Sequence, residues 1–133
     1  MSMTYTVGDR EVWHHSQAPS LMFCGQIPLM ERLVDRPTGF VDTGWDEVRI
    51  DPSELRAFLP TVFEYLRLSG SLPLRAMVRG FVLVALFLDH QASGDWYPVP
   101  PGFDDITAEL HLIVPYRVAH VRAADLQPGP DTD

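Results

Sequence analysis

At 133 residues, with 46% apolar, 21% charged and 11% aromatic side chains, the chain is long and apolar enough to bury its own core and too apolar for a disordered segment. Its ten basic residues are all arginine, which excludes Schiff-base chemistry, a pyridoxal phosphate linkage and the phosphate-gripping lysine of P-loop proteins and kinases. The formal net charge of −8 opposes nucleic acid and anionic membrane surfaces alike and leaves a basic partner or a neutral ligand.

The first elements are two β-prone segments, residues 4–7 and 10–13, flanking Gly8 and Asp9, a pair suited to a two-residue hairpin turn. Regular pairing across that turn sets Tyr5 opposite Val12 and Met3 opposite His14. A helical segment opens at 16–19, with Phe23, Ile27, Met30 and Val34 on one face. Pro28 predicts a kink there, or two short helices, and Arg36-Pro37-Thr38-Gly39 ends the segment.

Asp51, Pro52 and Glu54 have the order of a capping box. Behind them Leu55, Phe58, Leu59, Val62, Phe63 and Leu66 keep helical spacing to a stop at Ser69-Gly70, with Pro60 expected to bend the helix. A third helix, about 72–90, is apolar nearly all round and is predicted to be the buried centre. Gly80 within it suggests that another backbone crosses closely at that point. After a loop at 93–105, the alternation of Ile106, Ala108, Leu110, Leu112 and Val114 predicts a strand, with a second one at 117–121.

These elements make an α+β fold: an N-terminal β-hairpin, three helices, and a C-terminal strand or strand pair joining the hairpin's sheet. Residues 1–125 are expected to form a single globular domain and 126–133 a flexible acidic tail. The longest apolar run, 81–88, is too short to cross a membrane as a helix, which needs about 20 residues. With one cysteine, Cys24, and no signal-peptide pattern at residues 1–10, a reducing cytoplasm is the expected location.

Two connections are richer in aromatic and acidic residues than a plain link requires. One, 37–47, carries Phe40, Asp42, Trp45 and Asp46; the other, 93–105, carries Trp96, Tyr97 and Phe103. The expectation is that both face one pocket, where Phe40, Trp45, Trp96, Tyr97 and Phe103, with Arg49 for an anionic group, contact a ligand. Proton transfer would fall to Asp42 or Asp46, if one carboxyl were desolvated beside the other, or to His14 or His90. No pair of the five histidines has metal-ligand spacing, so neither a metal nor another cofactor is expected.

The motifs Tyr5-Thr6-Val7-Gly8-Asp9-Arg10, Trp13, Arg36-Pro37-Thr38-Gly39, 46–52 and Gly80-Phe81 resemble a family of short actinobacterial proteins of unknown function. The resemblance covers about residues 4–90, with 93–133 departing from it; it implies an intracellular protein and carries no catalytic residue over. Two functions stay open. One is a binding or accessory protein that presents aromatic loops to a protein partner or a hydrophobic small molecule, with a homodimer open as well. The other is a small cofactor-free enzyme, an isomerase, cyclase or hydrolase, using a carboxylate or histidine as acid and base.

Overall fold

The computed structural model describes residues 2–112. The backbone divides into two compact units, Met1–Pro98 and Val99–Asp133. In the first, two strands, β1 (Ser2–Val7) and β2 (Arg10–Ser16), lead into a helix, α1 (Gln17–Val34); β3 (Phe40–Asp42) and β4 (Glu47–Ile50) follow, then α2 (Pro52–Ser69) and α3 (Leu72–Ser93). The strands form one sheet in the order β2-β1-β4-β3, antiparallel except for the central parallel pair of β1 and β4. The fold is α+β, with the expected N-terminal hairpin.

Hairpin register differs from the regular pairing. Next to the turn Val7 faces Arg10 and Thr6 faces Glu11, but Tyr5 then faces Trp13, Thr4 faces His14 and Met3 faces His15. Val12 is the extra residue of a bulge, which turns the consecutive side chains Val12 and Trp13 both into the core. Its carbonyl accepts a hydrogen bond from Gln91 Nε2 at 2.9 Å, so the bulge is also where α3 is tied to the sheet.

Both helices that contain an internal proline are continuous. Pro28 and Pro60 lie on exposed faces, where water can take up the carbonyl each leaves without a donor, so the expected split of α1 does not occur. Asp51 caps α2 by accepting from the backbone N–H of Ser53 and Glu54, both at 3.1 Å. The reciprocal half of a capping box is replaced, because the Asp51 N–H donates to the carbonyl of Gly39 at 2.8 Å. That contact presses Gly39 (φ +91°) against α2, where a Cβ would lie 2.7 Å from the Leu55 nitrogen and 2.8 Å from the Asp51 oxygen. Only glycine fits there.

The core of this unit is aromatic. Phe23 of α1 stacks on Phe81 of α3 at 4.6 Å and meets Phe40 edge-on at 5.0 Å, while Tyr5, Trp13 and Phe87 continue the cluster beneath the sheet. Each such side chain stabilises the fold by roughly 1.5–3 kcal/mol through burial. From Phe81 to Asp89 every residue but Val84 is buried, as expected of the central helix. Gly80, in contrast, is exposed and would find no atom within 4 Å of a Cβ, so no close crossing explains it.

The remaining differences concern what completes the sheet. Its third and fourth strands come from 40–50, within and beside a segment expected to be a loop, and not from the C-terminal region. In the second unit, 104–112 is helical. Phe103 opens this helix by accepting at its carbonyl from the N–H of Ile106 and Thr107, and Asp104 and Asp105 place negative charge in its first turn. Phe103, Ile106 and Leu110 are buried at helical spacing, whereas Ala108 and Leu112 are exposed, so the apparent alternation mistook the period. The strand expected at 117–121 and the tail at 126–133 lie outside the described residues. Among the described residues no helix is long and apolar enough to cross a membrane.

Candidate functional site

The β3–β4 hairpin carries the first group of expected site residues. Asp42 Oδ1 accepts from the Gly44 N–H at 3.0 Å, Thr43 Oγ1 accepts from the Trp45 N–H at 3.3 Å, and the Thr43 N–H and hydroxyl both donate to the Glu47 carbonyl. Gly44 and Asp46 take left-handed backbone angles (φ +81° and +62°), and the Asp46 carbonyl accepts from the Thr4 N–H at 3.0 Å. Thr6 Oγ1 donates to Glu47 Oε2 at 2.9 Å, which ties the base of the turn to β1. On this stiffened tip Trp45 is 85% exposed. Val41 and Arg49, paired across β3 and β4, are exposed on the open face of the sheet, and Glu47 lies 3.6 Å from the Arg49 guanidinium.

The second group lies at the end of α3. Arg56, on the first turns of α2, donates through Nε to both carboxylate oxygens of Asp89 at 2.9 Å, with Nη2 at 2.7 Å from Oδ2. Asp89 is buried, so this pairing supplies the compensation that a carboxylate away from water needs. The Asp89 hydrogen bonds in turn hold the Arg56 charge more firmly than in free arginine. Arg56 Nη2 also donates to Ser93 Oγ and to the Asp95 carbonyl, and its guanidinium lies over the Tyr97 ring at 5.8 Å. Tyr97 stacks on Phe63, and Trp96 stacks on His90 at 4.0 Å. Burial, opposed by Arg56, pushes the Tyr97 hydroxyl up. His90 Nδ1 is buried under this arrangement without a hydrogen-bond partner among the described residues.

Sheet register separates the two groups. Glu47 lies beside Thr4 and Arg49 beside Thr6, so the Trp45 tip projects at the Ser2 end of β1. Arg10, just past the Gly8-Asp9 turn, donates to the carbonyls of Gln91 and Ala92, which fixes the end of α3 and residues 93–98 at the opposite end of the sheet. The expected single pocket between Trp45 and Trp96 is therefore corrected: the central parallel strand carries the chain from one end of the sheet to the other between them. Phe40 serves the aromatic core, and Phe103 belongs to the second unit. Asp42 and Asp46 are exposed on the hairpin, and His14 is exposed on β2 with Nδ1 3.3 Å from Thr4 Oγ1; neither lies with His90. Among the described residues no group of three or more His, Cys, Asp or Glu side chains is placed to hold a metal ion.

One polar cluster escaped the sequence analysis. The buried hydroxyls of Tyr5 and Ser20 have no hydrogen-bond partner among the described residues, although both lie close to each other and to Cys24. Burial pushes the Tyr5 hydroxyl far up, and burial followed by the Asp42 charge raises the Cys24 thiol. Cys24 is thus held protonated, the reverse of an activated nucleophile. The i, i+4 spacing of Ser20 and Cys24 on α1 was readable, but their meeting with Tyr5 depends on how α1 packs against β1, which spacing along the chain does not give.

The geometry defines a class: an α+β unit with its helices packed under a mixed sheet and a rigid, tryptophan-tipped hairpin at one end. A family model described as a family of unknown function (DUF6086) matches residues 1–126, and the chain belongs to that family. The match runs beyond residue 90, so the segment after 93, expected to depart from the family, is largely part of it. No curated protein and no solved structure matches the chain significantly.

Proposed function

We propose that this protein is a non-catalytic binding protein that inserts the Trp45 tip into a partner protein. The single observation behind this reading is an 85% exposed tryptophan on a turn already fixed by backbone and side-chain hydrogen bonds. Tryptophan is a favoured anchor at protein interfaces, and a preordered turn gives up little conformational freedom on binding. A protruding tip enters a partner's pocket, whereas small-molecule sites are concave, so a protein partner is favoured over a hydrophobic small molecule. Asp42, Asp46 and Glu47 flank Trp45 along the hairpin, and the chain carries a net charge of −8. The matching surface is arginine- or lysine-rich, since cations stack on tryptophan and pair with the flanking carboxylates. The half-buried, protonated thiol of the single cysteine supports a reducing compartment such as the cytoplasm.

The test is selection from a random peptide library displayed on phage, with the wild-type protein immobilised. Enriched peptides should carry arginine or lysine, be lost on Trp45→Ala and be kept on Trp96→Ala. No enrichment, or equal retention by Trp45→Ala, would remove the proposal.

A further inference from the structure

Two hydroxyls meet in the core of the first unit, and neither is satisfied there. Buried polar groups are normally hydrogen-bonded, as Thr38 and Asp89 are: Thr38 donates to Glu31 and accepts from the Phe40 N–H, and Asp89 is held by Arg56. Tyr5 and Ser20 are each 0% exposed, and neither hydroxyl has a hydrogen-bond partner among the described residues. Each is a cost to the fold that phenylalanine or alanine would not carry.

The two hydroxyls come from different elements, Tyr5 from β1 and Ser20 from α1, and they converge beside a third group. Cys24 stands one turn beyond Ser20 on α1, and the Tyr5 hydroxyl lies within interaction range of both. The Cys24 side chain is half-buried, so its sulfur meets the hydroxyls on its inner side and small molecules from water on the other. A thiol sulfur is a weak acceptor, which is why its presence leaves the O–H groups unsatisfied. An oxygen atom carried on that sulfur is a strong one.

We propose that Cys24 is a site of reversible oxidation by hydroperoxides, its sulfenic oxygen received by the hydroxyls of Tyr5 and Ser20. In that step the peroxide O–O bond breaks, its terminal OH is bonded to the Cys24 sulfur, and the thiol proton ends on the departing oxygen as water or an alcohol. The sulfur is oxidised by two electrons and the peroxide reduced by two. Burial and the Asp42 charge keep the thiol protonated, so the surroundings do not speed this step. Their effect falls on the product. Hydroxyls donating to the sulfenic oxygen draw electron density from it, which makes the sulfur a poorer nucleophile toward a second peroxide. The chain has no other cysteine with which to close a disulfide. The modification is therefore formed slowly, as peroxide accumulates, and held at its reversible stage. The inference does not depend on the reading of Trp45, which concerns another element.

The reduced full-length protein, treated with hydrogen peroxide at neutral pH, should accumulate a form that reacts with dimedone, and Cys24→Ser should not. Dimedone marks sulfenic acid, so oxidation of the five methionines does not enter. Tyr5→Phe and Ser20→Ala each remove one unsatisfied hydroxyl, so both variants should match the wild type by circular dichroism. Each should form the sulfenic acid no faster than the wild type. Tyr5→Phe should then pass to the irreversible sulfinic acid about tenfold faster, and the double variant faster still, followed by the mass of the peptide that contains Cys24. A variant that merely uncovered Cys24 would instead speed both steps by one factor, together with alkylation of the thiol by iodoacetamide. No dimedone-reactive form in the wild type, a second step unchanged in both variants, or equal acceleration of the two steps would overturn the proposal.

Discussion

The two tryptophan-bearing segments are similar in composition and opposite in structure. Residues 43–46 form a turn whose hydrogen bonds are satisfied locally and by Thr4, so its indole is left in water. Residues 93–98 close locally only at their start, where Ser93 Oγ accepts from the Asp95 N–H at 3.2 Å, and are also held from outside, by Arg56 reaching Ser93 and Asp95 while it neutralises Asp89. Aromatic content therefore does not decide whether a segment folds down. A buried charge that needs a partner does, because the arginine that answers it brings the neighbouring chain along.

The largest effect should come from the base of the outward hairpin. Gly39→Ala forces a side chain into left-handed backbone pressed on the first turn of α2, and is expected to destabilise the fold by about 3 kcal/mol or more. Urea unfolding measures this; a loss no larger than that of Gly8→Ala, where a Cβ meets nothing within 4 Å, would show that the contact can relax. Next is the other segment's anchor. Arg56→Leu leaves Asp89 buried without its cation and should cost ~2 kcal/mol, toward the low side for such pairs because Arg56 is 38% exposed. The same variant should become open to chymotrypsin at Trp96 and Tyr97, while the double variant with Asp89→Leu regains part of the stability. If the 93–98 segment stays protected, Arg56 is not what holds it.

Alkaline pH should distinguish the regions more gently. Tyr5 and Tyr97 both have hydroxyls raised above the ordinary 10.0, Tyr5 by burial and Tyr97 by burial against the opposing pull of Arg56. Protonated tyrosine is thus favoured by the folded state. Its contribution is intact below pH 10.0 and drains away as pH rises from there toward the raised folded values, because the unfolded chain releases those protons first. Tyr5→Phe should flatten that decline, and at neutral pH should be neutral or stabilising, since the hydroxyl it removes is buried without a hydrogen-bond partner among the described residues. An unchanged alkaline slope would mean that Tyr5 is not the group titrating.

Where local periodicity and packing agreed, the fold was legible. The N-terminal turn, the Asp51 cap and the apolar 81–88 run each specify an element through short-range chemistry, and each is present. Features that depend on distant partners were not. The Val12 bulge is stabilised by Gln91, 79 positions away, and the third and fourth strands require β1 as a template before a short run such as Phe40–Asp42 can be a strand. Residues 104–112 failed for another reason. Two of the buried residues, Ile106 and Leu110, lie four apart with Ala108 between them and fit a helix face and an alternating strand alike, while the features that separate the two readings, Phe103 three positions earlier and the acidic first turn, fall within the 93–105 segment read as a loop. The site was legible as residues but not as a place, because spacing along the chain says nothing of which end of a parallel strand a loop leaves from.

The smallest effects on stability bear most directly on function. Trp96→Ala removes a ring stacked on His90 and should cost about 1 kcal/mol, reduced by the access to water that His90 Nδ1 gains. Trp45→Ala should change stability by less than about 0.5 kcal/mol, since an 85% exposed indole buries little and the turn beneath it is held by backbone, threonine and aspartate atoms that the substitution leaves in place. Thermal unfolding of the two variants side by side measures the contrast, and fluorescence of Trp45 in a variant lacking Trp13 and Trp96 should have the emission maximum of a solvated indole. A stability loss at Trp45 as large as that at Trp96 would mean that the hairpin tip is packed in solution and that its tryptophan supports the fold, leaving the outward indole no separate task to explain.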